Sequence, residues 1–278
     1  MSFIQTRDAS RGFFPNMPTL DNRPEQWLMR GANFIVCYAQ ARNGERLARS
    51  DNPDEYFVYL PDAPARIEAG SETVEVEPGS LAIVPPGPST ITLNGDGRVV
   101  RIFSSHAADL ARAAANAAVY SDGAPEVAPA APWPAPQDGY RLRAYRLADY
   151  RDRPMRMFRS ANLMVNVIEF PEPRDTSALT PHSHADFEQG SLAMTGQWVH
   201  HLRYPWTPDM AKWRDDEHLE IGSPSLLVIP ATVIHTSRST SDGPAQLVDI
   251  FSPPRIDFVE RGLVCNDAEY PRPLDMAK

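Results

Sequence analysis

The sequence predicts an all-β protein made of two copies of one strand-rich module, on three observations. The first is an internal repeat, sought first because a missed duplication misreads the fold. Arg30-Gly-Ala-Asn-Phe-Ile-Val36 resembles Arg159-Ser-Ala-Asn-Leu-Met-Val165, and SLAIVPPGPSTITL from Ser80 matches SLLVIPATVIHTSR from Ser225. Segments ending in Ile102-Phe-Ser104 and Ile250-Phe-Ser252 close the two units. The second observation is texture: 28 prolines fall mostly between short apolar runs, as in many short strands joined by turns. The third is that no long helices alternate with these runs, which favours an antiparallel sandwich or barrel over a βαβ fold.

Apolar runs rich in Val, Ile and aromatic residues predict strands at 33–39, 55–60, 65–69, 72–76, 81–84 and 98–103 in the first unit. In the second they fall at 161–169, 186–195, 198–204, 218–221, 226–229 and 245–251. Between the units AADLARAAANAA from Ala107 is a good helix by propensity, and the Pro/Ala-rich stretch after it favours an extended connector. The expected division is a first module over 1–106, a helical and Pro/Ala-rich linker over 107–139, and a second module over 140–278.

With 278 residues, two modules of this size can each bury a core. Hydrophobic residues make up 42% and charged residues 23%, ordinary globular values. The net charge is -9 without a Lys/Arg-rich run, which argues against nucleic acid or an anionic membrane as partner and leaves a small molecule as the expected ligand. The N-terminal stretch lacks the basic start and apolar core of a signal peptide, and no segment approaches a membrane span, so a cytoplasmic protein is expected. Cys37 and Cys265 lie in different halves without CxxC spacing, so neither a disulfide framework nor a thiolate zinc site is suggested.

The chemistry concentrates in Thr180-Pro-His-Ser-His-Ala-Asp-Phe-Glu-Gln-Gly, where His182, His184 and Glu188 stand at even spacing. Even intervals in an extended strand share one face, so the three side chains can converge, unless a turn or bulge between His184 and Glu188 upsets the parity. Two imidazoles and a carboxylate suit a borderline divalent cation and suit calcium poorly.

HxHxxxE followed by Gly196, and Pro230-Ala-Thr-Val-Ile-His235 after an apolar strand, resemble the two motifs of the cupin superfamily, whose metal is held by three His and one Glu. The resemblance spans both halves and implies two tandem cupin barrels of the jelly-roll, double-stranded β-helix type. By it, His182, His184, Glu188 and His235 are the expected ligands of one divalent transition metal in the second barrel, with Fe first and Mn, Ni or Zn as alternatives. A homodimer is expected on the same ground. Thr176, Pro224 and Thr232 depart from the motifs' glycines, and the stretch from Glu188 to Gly196 is one residue longer than usual.

Aligning Glu55 with Glu188 sets Arg49 and Asp51 opposite the two histidines and Thr90 opposite His235. No imidazole stands there, so the first barrel is expected to be degenerate, a structural or dimerisation element. His106 and His218 have no comparable support and read as solvated residues.

Four protein ligands on an octahedral ion would leave two positions for substrate, water or dioxygen. The resemblance therefore implies a mononuclear metal enzyme acting on a small oxygen-rich metabolite, first a non-haem Fe(II) dioxygenase. The alternatives are a redox-neutral isomerase, lyase, decarboxylase or aminohydrolase, and a non-catalytic binding module.

The remaining pocket residues follow from a hairpin after Glu188. If Gly196-Gln197 forms a two-residue turn, Met194 pairs with Val199, Leu192 with His201 and Gly190 with Arg203, and all share the face of Glu188. His201 is then the expected proton-transfer group and Arg203 the anchor for a substrate carboxylate, with Leu192, Met194 and Val199 lining the cavity. A longer turn or a bulge would reverse the faces and put His200 inside.

Overall fold

The computed structural model describes residues 6–20 and 25–273; the first residues of the stretch read for a leader lie outside them. The strands of the first half are β1 (Ser10–Phe13), β2 (Gln26–Arg30), β3 (Phe34–Ala41), β4 (Arg46–Arg49), β5 (Tyr56–Leu60), β6 (Ala65–Ala69), β7 (Glu72–Val76), β8 (Ser80–Val84), β9 (Ser89–Leu93) and β10 (Gly97–Ser104). Helix α1 (Ala108–Ala113) opens the connector, shorter than the propensity of its sequence suggests. The second half carries β11 (Arg143–Arg146), β12 (Met157–Arg159), β13 (Met164–Phe170), β14 (Gln189–Thr195), β15 (Gln197–Arg203), β16 (Glu217–Gly222), β17 (Ser225–Ile229), β18 (Ile234–Ser239), β19 (Ala245–Phe251) and helix α2 (Ile256–Glu260). Each of the twelve expected strand runs overlaps an observed strand. The strands the sequence did not signal are short or polar, β4 and β18 among them.

Two six-stranded sheets, in the orders β1-β17-β14-β19-β13-β12 and β11-β8-β5-β10-β3-β2, face each other across the molecule. A smaller sheet closes each into a barrel: β16-β15-β18 in the second module and β4-β9-β6-β7 in the first. This is the nearly all-β pair of tandem jelly-roll barrels that the resemblance implies. No helix among the described residues is long and apolar enough to cross a membrane.

Alternation along each strand decides what lies between the barrels and what lies inside them. Phe34, Phe57 and Ile102 of the first large sheet pack with Leu192, Val248 and Ile250 of the second in one apolar layer, each side chain fully buried or nearly so. Burying a side chain of this kind is worth about 1.5–3 kcal/mol, so this layer is a large part of what holds the halves together. The opposite faces fill the barrels. The first is packed with aliphatic residues such as Ile35, Val58, Ile67 and Ile91, whereas the second keeps a polar interior around its histidines.

The modules also exchange strands. β1, from the first half of the chain, adds to the second module's edge strand β17, with Ser10 opposite Val228. β11, from the second half, adds to β8 of the first module, with Tyr145 opposite Leu81. These two additions are the same event in each repeat, since β8 and β17 are the matching SLAIV and SLLVI segments.

Candidate metal centre

His182, His184 and His235 come together in the second barrel, each offering a ring nitrogen within 4.8 Å of the others. His182 and His235 face each other in an isolated antiparallel bridge: the His182 N–H donates to the His235 carbonyl at 3.1 Å and the His235 N–H to the His182 carbonyl at 2.8 Å. The Nδ1 of His182 lies 2.9 Å from the Thr180 carbonyl and that of His235 2.9 Å from the Val233 carbonyl. A backbone acceptor on Nδ1 fixes the tautomer and turns the Nε2 lone pair toward the centre, the usual arrangement behind a metal-binding histidine. His184 is stacked on Phe187 with ring centroids 4.5 Å apart, and its carbonyl accepts from Thr232 N–H at 2.6 Å. Thr232 reaches that position at φ +70, a left-handed conformation costly for a β-branched residue and occupied where the cupin motif carries glycine. Burial holds His184 down at about 3 and His235 at about 4, so both rings are neutral, the form that binds a metal.

The fourth side chain at this centre is Gln189, not Glu188. Gln189 Oε1 lies 2.9 Å from His184 Nε2 and 3.3 Å from His235 Nε2. Its amide is oriented from behind, because Gln189 Nε2 donates to Asp249 Oδ1 at 2.9 Å, and Ser191 Oγ donates to the same oxygen at 3.1 Å. Burial pushes the Asp249 carboxyl up to about 6. Glu188 points the other way, into the first module. It accepts from the Ala32 N–H at 2.6 Å and from Tyr120 Oη at 3.2 Å, with Arg7 Nε 3.8 Å away. The bend at Ala185-Asp186 breaks the even spacing between His184 and Glu188, and the strand begins at Gln189. The extra residue between Glu188 and Gly196 was the sequence signal for this shift: counted back from Gly196 at the usual length, the motif position falls on Gln189.

The repeat explains Glu188. In the first module Glu55 accepts from the Ala161 N–H at 3.2 Å and from Tyr270 Oη at 2.9 Å, with Arg143 Nη1 3.7 Å away. Ala32 and Ala161 belong to the repeated Arg-x-Ala-Asn motif, and Gly31 is followed so closely by the clamp that a Cβ there would sit 2.8 Å from Glu188 Oε2. Each glutamate is thus a buried tie from its own module to the other. Burial raises both carboxyls while the backbone N–H groups, the tyrosine hydroxyls and the arginines partly offset it.

The expected hairpin does not form. β14 pairs with β17 and β19, while β15 pairs with β16 and β18, so the chain changes sheets at Gly196 instead of folding back. Gly196, at φ +92, makes that corner where a Cβ would lie 2.7 Å from the Ala245 side chain. The consequences correct five expected pocket residues. His201 is on the outer face of β15, its Nδ1 2.8 Å from His218 Nδ1, and Arg203 is exposed and paired with Asp216. Val199 shares their side of the strand. Leu192 and Met194 do share the side of Glu188, but that side is the apolar layer between the barrels. His200 is inside: it is 1% exposed, with Nδ1 2.6 Å from Ser237 Oγ and a buried Nε2 without a protein partner. Burial lowers its pKa to about 4.

Beside the histidines a cavity of about 260 Å3 is lined by His182, Gln189 and His235 together with Arg174, Thr180 and Asp249. Arg174, which no sequence motif marks, donates from Nη1 to the Ser237 carbonyl at 2.9 Å and from Nη2 to Thr180 Oγ1 at 3.2 Å. In the first barrel the corresponding space is closed. Ser89, not Thr90, is the inward counterpart of His235, because Ser89 pairs with Arg49 as His235 pairs with His182. Tyr56 Oη and Ser89 Oγ meet at 2.9 Å, and Arg49 turns to Asp109 at 2.6 Å.

No family model and no curated protein sequence matches this chain. Solved structures do match in fold. AerE from Microcystis aeruginosa superposes with TM-score 0.56 at 8% identity, covering 90% of this chain and 99% of its own. The formate complex of Lactobacillus farciminis oxalate decarboxylase gives TM-score 0.56 at 12% identity over 94% of this chain and 96% of its own. Ylba from E. coli gives 0.56 at 11% identity over 89% and 92%. At these identities the likeness establishes the tandem cupin fold.

Proposed function

We propose that the second barrel is a mononuclear metal site of a cupin-type enzyme, in which His182, His184 and His235 hold one divalent transition metal and Gln189 Oε1 supplies a neutral fourth donor. The observation that carries this reading is the convergence of three histidines and one carbonyl oxygen on a single point. Three neutral imidazoles and an amide oxygen fit Mn, Fe, Co, Ni or Zn by donor type. A metal held this way would act as a Lewis acid on a bound carbonyl or carboxylate oxygen. With no carboxylate among the donors the ligands themselves leave the metal's charge unneutralised, and with Arg174 on the wall this favours a small anionic, oxygen-rich substrate, although Asp249 also lines the cavity. Arg174 lines the same cavity, and the N–H donors left over from its bonds to Ser237 and Thr180 would take a substrate carboxylate, the role first expected of Arg203. Asp249 and Ser191 keep the Gln189 amide from rotating, so that its oxygen and not its NH2 faces the histidines.

The reaction we favour is redox-neutral, such as a decarboxylation, lyase or isomerase step, because the neutral donor set strengthens polarisation of a bound oxygen. A dioxygenase is the second reading, favoured by the cavity of about 260 Å3 beside the triad, which has room for a chelating metabolite. The test is metal analysis of protein purified without added metal, followed by turnover of small keto, hydroxy and dicarboxylic acids with and without oxygen. Dicarboxylates enter the panel first because one fold neighbour is an oxalate decarboxylase. Turnover without oxygen supports the favoured reaction, and oxygen uptake with bound Fe selects the dioxygenase. Protein that retains no transition metal and regains none on titration overturns both.

A further inference from the structure

A second concave site lies on the seam between the modules, a cleft of about 940 Å3 that none of the three histidines, Gln189 or Arg174 lines. Its walls carry five arginines, Arg98, Arg146, Arg151, Arg153 and Arg156, against two carboxylates, Asp62 and Glu169. The carboxylates are already engaged. Asp62 holds Arg98 at 2.6 Å, and Glu169 holds Arg156 at 3.2 Å. Arg98 also donates to the Met194 carbonyl at 2.8 Å, which ties this wall across the seam. Arg153 donates to the Gly262 carbonyl at 2.8 Å and also reaches the Cys265 thiol, and none of Arg146, Arg151 and Arg153 has a carboxylate partner among the described residues. Three cations therefore face one cleft without a counter-charge, in a chain whose net charge is -9. Charges beyond about 8 Å are screened at physiological ionic strength, so the local excess and not the net charge governs what binds here.

We propose that this cleft binds a small multivalent anion of the phosphorylated-metabolite class. Guanidinium groups match phosphate oxygens in pairs through parallel N–H donors, and several acting together favour a ligand with more than one negative charge. The volume suits more than a bare phosphate, since small-molecule sites run to about 300–1,000 Å3. The rest of the wall is suited to the uncharged part of such a ligand: Tyr59 Oη donates to Gln246 Oε1 at 2.9 Å, Asn166 keeps a buried Oδ1 without a partner, and Met155 adds apolar surface.

The test is calorimetric titration of the metal-free full chain with pyrophosphate, in wild type, in a His184→Ala variant and in an Arg146→Ala/Arg151→Ala double variant. Both arginines are exposed, so the double variant keeps the fold, checked by its melting curve. The expected result is saturable one-to-one binding that His184→Ala leaves unchanged and the double variant weakens at least about tenfold. Equal affinity in the double variant, or no binding by wild type, overturns the proposal. Loss of binding in His184→Ala overturns it too, by placing the anion on the histidines. Citrate is titrated in parallel, and binding as tight as pyrophosphate would overturn the phosphate assignment.

Discussion

Adjacent residues of an extended strand point to opposite faces, and at Glu188 and Gln189 that alternation separates two jobs. Glu188 ties the modules together and Gln189 faces the histidines, so replacing each should have different effects. Glu188→Gln is expected to leave metal affinity within about twofold, while Gln189→Leu lowers it at least about tenfold, measured by competition with a chromophoric chelator. Asp249→Asn should fall between them, because the amide it orients becomes free to rotate. His200 gives a pH test. Its folded value of about 4 lies below the ordinary 6.5 for histidine, so the unfolded chain binds this proton first and stability is lost as pH falls from 6.5 toward 4. Between pH 7 and 5 the loss from this one group is about 2 kcal/mol, and His200→Gln should remove it from urea-unfolding curves.

At the scale of elements, the ties recur with the repeat. In each one a backbone N–H of the Arg-x-Ala-Asn turn and a tyrosine that follows the module's last helix converge on a buried glutamate. Glu55→Ala and Glu188→Ala each orphan that N–H and hydroxyl, and each is expected to destabilise the protein by roughly 1–3 kcal/mol or more in urea. A change under half a kcal/mol in either would show that water replaces the tie. The repeat itself was legible in the sequence because it repeats apolar strands of fixed length. The tyrosines were not, since Tyr120 lies in the connector and Tyr270 in the C-terminal stretch, where no periodic pattern marks them.

Across the whole molecule, the exchanged strands and the shared apolar layer make the two barrels one folding unit. A cut anywhere in 107–139 would separate β1 from β17 and β11 from β8, and would expose the faces of Leu192, Val248 and Ile250. The full chain is therefore expected to unfold in a single calorimetric transition, and the separate halves to aggregate or remain partly folded. Two resolved transitions, or a stable monomeric second half, would contradict this coupling.

Sequence alone determined the all-β class, the duplication and the positions of the central strands, and it singled out the three histidines that converge, because these depend on local patterning and motif spacing. It could not determine which residue beside them completes the site, since one bend at Ala185-Asp186 shifts the parity of everything after it. Nor could it place His200 inside and His201 and Arg203 outside, which depended on whether Gly196 reverses the chain or passes it to another sheet. The role of Glu188 was decided only by tertiary structure, because its partners Ala32, Tyr120 and Arg7 lie in distant parts of the chain and meet it only when the two barrels pack face to face.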